Sequence, residues 1–135
     1  MSSKSINTLT IKEWHGANSI TLDVTEGYSI ASSSVGGKQS NKLTVNRQSD
    51  KHSTRIGLFA YLRRNQPGYQ TLGFPEITLA VEKYDAGGQF LSRTVIIFAP
   101  VAVDSLTPHK TDESIVFAFG SMTEMTVSKN GVIFN

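Results

Sequence analysis

Along most of the chain apolar and polar residues alternate with a period of two, the pattern of strands that bury one face. Ile20, Leu22 and Val24 alternate with Thr21, Asp23 and Thr25, and Tyr28 and Ile30 resume the pattern after a bend or bulge expected at Glu26 and Gly27. Leu43 and Val45 repeat it within KLTVNR. Ile77, Leu79 and Val81 do so again ahead of Asp85-Ala86-Gly87-Gly88, a strong turn signal. Residues 89–99 return as the partner strand, and their apolar run from Val95 to Ala99 predicts burial on both faces. Residues 101–106 carry the sheet beyond Pro100, and 107–113 read as a polar loop. Ile115, Phe117 and Phe119 alternate in a last long strand that extends through Met122 and Met125 to Val127. Lys129-Asn130-Gly131 then marks a closing turn before a short strand at 132–134. The first strand, 6–14, is less regular, with Ile6, Leu9 and Ile11 as its apolar positions and a turn at 15–18.

One segment breaks the period. Over 53–65, Ile56, Phe59 and Leu62 share one helical face while Arg55, Arg63 and Arg64 lie nearer the other. Ser53 is the expected N-cap, and Pro67 stops the helix. The order of elements predicts a mainly β fold: a small β-barrel or two-sheet sandwich of antiparallel strands with one side α-helix. Length places it in a single domain spanning 1–135.

A second segment has no apolar pattern at all. Residues 31–41, ASSSVGGKQSN, are nearly all small or polar and bring no core of their own. Two readings stay open, a floppy hairpin loop and an extended arm that orders against another subunit. On the second reading Ser32, Ser33, Ser34, Val35, Gly36, Gly37, Lys38 and Gln39 are the subunit-interface candidates.

Composition removes several function classes. With 39% apolar and 18% charged residues in 135, the chain is a folded globular protein. Its net charge is +2 and Arg63-Arg64 is its one adjacent basic pair, so no nucleic-acid partner is expected. Cysteine is absent, which rules out disulfide and thiol chemistry. The first fourteen residues hold no apolar region, so any export is expected without a cleaved signal peptide. The longest apolar run, 95–103, contains Pro100 and is too short to insert in a membrane.

No reaction is legible. His15, His52 and His109 fall in three separate loop-like segments, without the spacing of a metal site. Gly36-Gly37-Lys38-Gln39-Ser40 lacks the full phosphate-loop pattern, and no Gly-x-Ser-x-Gly elbow is present. Catalytic residues, cofactors and metals are therefore expected to be none. Tyr28, Phe59, Tyr61, Tyr69, Phe74, Phe90, Phe98, Phe117 and Phe119 read as core rather than as a stacking platform. Trp14, beside His15, suits either strand-end packing or a sugar platform.

The segments KLTVNRQSDKHS, PEITLAVEKYDAGGQFLSRTVII and ESIVFAFGSMTEMTV, in this order, resemble the haemolysin-coregulated protein family, the tube protein of type VI secretion. SITLDVTEGYSIASSSVGG upstream resembles the strand and extended Gly/Ser loop ahead of that family's Asp-Lys-x-Ser turn, and the likeness covers 19–127. Thr54 stands where the family usually has Pro, so the resemblance implies a divergent member or a related phage tail-tube protein. It implies hexameric rings stacked into a hollow tube, with sheath, baseplate or spike, and effector proteins as partners. Such a subunit resides in the cytoplasm and is then exported. The rival reading is a non-enzymatic β-sandwich binding module for a carbohydrate or protein ligand, using Trp14, Tyr28 or Tyr69.

Overall fold

The alternating segments become strands of one antiparallel sheet in the computed structural model, which describes residues 4–12, 19–24, 27–65, 74–128 and 131–134. The elements are β1 (Lys4–Ile11), β2 (Ile20–Asp23), β3 (Tyr28–Val35), β4 (Lys38–Gln48), α1 (Ser53–Asn65), β5 (Ile77–Tyr84), β6 (Phe90–His109), β7 (Asp112–Ser128) and β8 (Gly131–Phe134). Strand order is β2-β1-β5-β6-β7-β4-β3, and β8 adds to β7.

Two strands are far longer than the rest, and they organise the sheet. The first half of β6 pairs with β5 on one side and with β7 from Ser121 to Ser128 on the other. Its second half pairs with β7 from Asp112 to Phe119, and that stretch of β7 pairs with β4. The inward side chains of both halves meet in one core, with Leu9, Leu79 and Phe98 from one and Val45, Ile115 and Phe117 from the other. The sheet therefore curls around that core. Burying each of these large side chains stabilises the fold by about 1.5–3 kcal/mol. The ends of the strand path, β2 and β3, are consecutive in sequence but are not paired with each other among the described residues. Among the described residues the result is a curled, unclosed sheet with one side helix.

The curl has a local cause. Register places Ala99 opposite Ser121 and Val101 opposite Phe119, so Pro100 faces Gly120. Proline cannot donate to a ladder, which interrupts the pairing there. A Cβ on Gly120 would lie 2.8 Å from Pro100 Cδ, so glycine is what lets the two strands pass.

Helix α1 packs on β6 through Ile56, Phe59 and Ala60, which join the core, and Phe59 stacks on Phe74 at 5.4 Å. Its cap differs from the expected one. Asp50 Oδ1 accepts the His52 N–H (2.8 Å), the Ser53 hydroxyl accepts the Asp50 N–H (2.9 Å), and the Asp50 carbonyl accepts the Ser53 N–H (3.1 Å). Asp50 thus caps the helix and Ser53 answers it from the first turn, a reciprocal capping box. A carboxylate is also the better partner for the positive end of the helix.

Three further expectations are corrected. Residues 107–113 are not a loop: β6 runs to His109, β7 begins at Asp112, and the turn is Lys110-Thr111. Backbone ladders need no apolar side chains, and apolar pattern was the only guide there. The run from Val95 to Ala99 is buried on one face alone, through Ile96 and Phe98. On its other face Val95 and Ile97 are half-buried, with Ala80 and Met125 opposite the first and Thr78 and Thr123 opposite the second. In β1, Leu9 and Ile11 point inward while Ile6, out of phase with them, is exposed. The rest of the expected 6–14 strand and the 15–18 turn fall largely outside the described residues.

A paired substitution checks these packing statements. Gly120→Ala is expected to lower unfolding free energy by about 1–3 kcal/mol through its clash with Pro100. Gly57→Ala, on a helix position whose Cβ would meet nothing within 4 Å, is expected to raise it by up to about 1 kcal/mol. Urea unfolding of both variants measures the two signs.

Candidate assembly surfaces

The segment 31–41 has regular backbone structure. It is the outer part of the β3–β4 hairpin, a two-stranded ribbon. Ser32, Ser33, Ser34 and Val35 pair with Asn41, Ser40, Gln39 and Lys38. The turn is Gly36-Gly37, with φ of 60° and 79°. Two successive positive φ angles are those of the hairpin turn whose twist matches the flanking strands, and glycine reaches them without strain. The ribbon needs no core because its order comes from a ladder continued out of β4. Its side chains from Ala31 to Ser34 are exposed.

The pairing of β4 with β7 reaches only to Lys42 opposite Ala118, so the ribbon continues past the sheet with no described strand on either edge. Asn41 fixes its base by donating to the carbonyls of Phe119 (3.4 Å) and Gly120 (3.3 Å) at the bend of β7. Where β3 enters the core, Tyr28 is half-buried, and burial together with the nearby Glu124 carboxylate pushes its hydroxyl pKa above the ordinary tyrosine value.

At the other end of β4 lies an ion pair inside the protein. Arg47 and Glu113 face each other across the β4–β7 ladder, 2% and 1% exposed, with Nη1 donating to Oε2 at 2.5 Å. Arg47 Nη2 also pairs with Asp50 Oδ2, the same carboxylate that caps α1. The Asp-Lys-x-Ser turn is thereby tied to the sheet interior. Arg47 Nε and Glu113 Oε1 make no hydrogen bond of their own. Reading 107–113 as a loop hid Glu113. The usable signal was phase: Leu43, Val45 and Arg47, like Glu113, Ile115 and Phe117, step by two onto the inner face.

On the outer surface Asp104 joins three elements. Lys42 of β4 reaches it at 3.1 Å and Arg63 of α1 at 3.3 Å, above a shallow trough floored by Ala102, Ala118 and Gly120. These half-exposed pairs contribute little to stability. The exposed apolar side chains are more telling. Leu58 and Tyr61 of α1 are 48% and 56% exposed, with Ile6, Phe90, Met122 and Met125 exposed on the strands. Tyr61 and Phe90 thus depart from the expected core set, whereas Phe59, Phe74, Phe98, Phe117 and Phe119 keep to it.

The residues considered for chemistry do not converge. His52 sits in the turn just before α1 and His109 at the end of β6, the latter 3.3 Å from Ser114 Oγ. His15, Trp14 and Tyr69 lie outside the described residues. Among the described residues no three His, Asp or Glu side chains lie together as metal ligands would, and no helix is long and apolar enough to cross a membrane.

Neither a protein-family model nor a curated protein sequence matches the chain. Solved structures do. Hcp1 from Salmonella typhimurium aligns over 98% of this chain and 92% of its own, with TM-score 0.61 and 14% identity. A type six secretion system protein aligns over 96% of this chain and 92% of its own, with TM-score 0.64 and 17% identity. The secreted protein Hcp3 from Pseudomonas aeruginosa covers 95% and 94%, with TM-score 0.58 and 11% identity. The chain shares their fold along nearly its whole length, and the resemblance read over 19–127 has its counterpart in three dimensions.

The buried pair has a measurable signature. Glu113→Ala leaves Arg47 uncompensated inside the protein and is expected to cost about 3–5 kcal/mol. Arg47→Met combined with Glu113→Leu should recover most of that loss, because no buried charge is then left unpaired. A double-mutant cycle in urea reads the coupling.

Proposed function

We propose that this chain is the structural subunit of a hollow tube built from stacked rings, the inner tube of a contractile injection or type VI secretion system. The observation that carries the reading is the end-to-end likeness to Hcp structures, above 90% coverage of both chains. The surfaces suit the role. A small rigid fold with an unclosed sheet, a projecting ribbon and exposed apolar side chains on α1 and the strands has several places for a like subunit to dock. Contacts between different surfaces of identical chains form rings when the rotation closes.

On this reading the whole chain acts as one domain without enzymatic activity. Rings are hexameric, and residues 32–39 of the ribbon bridge neighbouring subunits. The tube forms in the cytoplasm and is exported by the machine it belongs to, with sheath, baseplate or spike, and effectors as its partners.

Light scattering and negative-stain microscopy of the purified protein test the reading. Rings are expected, with a mass near six times 14.7 kDa. With a net charge of only +2, association rests on backbone pairing and apolar packing, so ring mass is expected to change little with salt. Deleting residues 32–39 should weaken assembly while leaving the monomer folded. A mass that stays at 14.7 kDa at high concentration, with no rings on the grid, refutes the tube reading.

A further inference from the structure

The second half of β6 has an edge that no described strand occupies. Pairing with β5 ends at Phe98, and Phe74 bridges to Val101 on that side. From Ala102 onward, among the described residues, no strand pairs with β6 on that side, and α1 packs against it. Between the helix and this edge runs a groove of about 240 Å³, lined by Gly57, Ala60, Tyr61, Ser105, Leu106 and Thr107. Pro108, which lacks an N–H, ends the usable edge.

The helix wall of the groove is shaped for close approach. Gly57 stands in the middle of α1, where glycine weakens a helix. Among the described residues nothing requires its missing side chain, since a Cβ there would meet no atom within 4 Å. An unpaired strand edge beside a helix with a low wall is the geometry in which an extended segment adds to a sheet.

The ribbon is the segment that fits. No described strand pairs with its β3 edge, and its side chains at Ser32, Ser33 and Ser34 are small, uncharged and exposed. The groove lining is uncharged as well. The ribbon cannot reach the groove of its own chain. Thr107 faces Ser114, which faces Asn46, whereas Ser33 faces Ser40, six residues further along β4. At strand spacing that is roughly 20 Å. The two features lie toward opposite ends of the molecule, as a head-to-tail contact requires.

We propose that the β3 edge of the ribbon of one copy adds as a strand to the free β6 edge of a neighbouring copy, seated against Gly57 and Ala60. The inference rests on the tube reading and specifies one contact within it. The chain has no cysteine, so Ser33→Cys with Thr107→Cys can be joined by a bis-maleimide too short for the intramolecular distance. The assembled double variant is expected to give covalent multimers in denaturing gels, and each single variant at most a dimer. Adding Gly57→Leu, which fills the groove, should abolish the multimers with the circular dichroism spectrum unchanged. Rings that form but yield no multimers, or multimers that survive Gly57→Leu, overturn the docking and leave the tube reading intact. A double variant and native chain that both stay monomeric overturn both.

Discussion

A strand pair longer than its core is wide has to bend, and the β6–β7 hairpin bends where Pro100 faces Gly120. That contact lets one hairpin serve both halves of the sheet: its open end pairs with β5 and β8, its turn end with β4. Because Phe98 and Phe119 sit on either side of the bend, with ring centroids 4.8 Å apart, the corner is filled by the core itself. The curl, the single core and the open gap between β2 and β3 all follow. A straight hairpin would have made a flat sheet with one face bare.

The bend also accounts for the outlying features. Once β7 turns away at Gly120, β4 has no described strand on its β7 side beyond Lys42, and the β3–β4 hairpin continues alone as a ribbon. Once β6 turns away from β5 at Phe98, its second half keeps β7 on one side and on the other has α1 rather than a described strand. The free ribbon and the free edge are thus two consequences of one corner. At the far end of β4, Arg47 holds Glu113 and Asp50 together, so the start of α1 is set relative to the same ladder. The buried pair is weak evidence of stability in itself, but it leaves the helix few alternative positions.

Strand content, the single helix and the hairpin turn at Asp85-Ala86-Gly87-Gly88 were legible because period-two burial and turn-forming residues act locally. The full reach of β6 and β7 was not. Thr107, Pro108 and His109 pair through backbone atoms, which side-chain pattern does not report. The same blindness hid the ribbon, whose serines and glycines look like a loop but need only a ladder and a two-glycine turn. Asp50 displaced Ser53 as cap because its second oxygen is held by Arg47, a contact from outside the helix.

What the chain by itself determined is a mainly β protein with one helix, no cysteine, little net charge and a polar hairpin without a core, since each is set by residue type and short-range order. Only the tertiary structure decided that Arg47 and Glu113 are interior partners, that Tyr61 and Phe90 face outward, and that the β6 edge beside Gly57 has no described strand on it. These depend on which strands lie next to one another. Neighbouring in a sheet is fixed by long-range closure around a shared core, in which Pro100 meets Gly120 across the chain's longest hairpin.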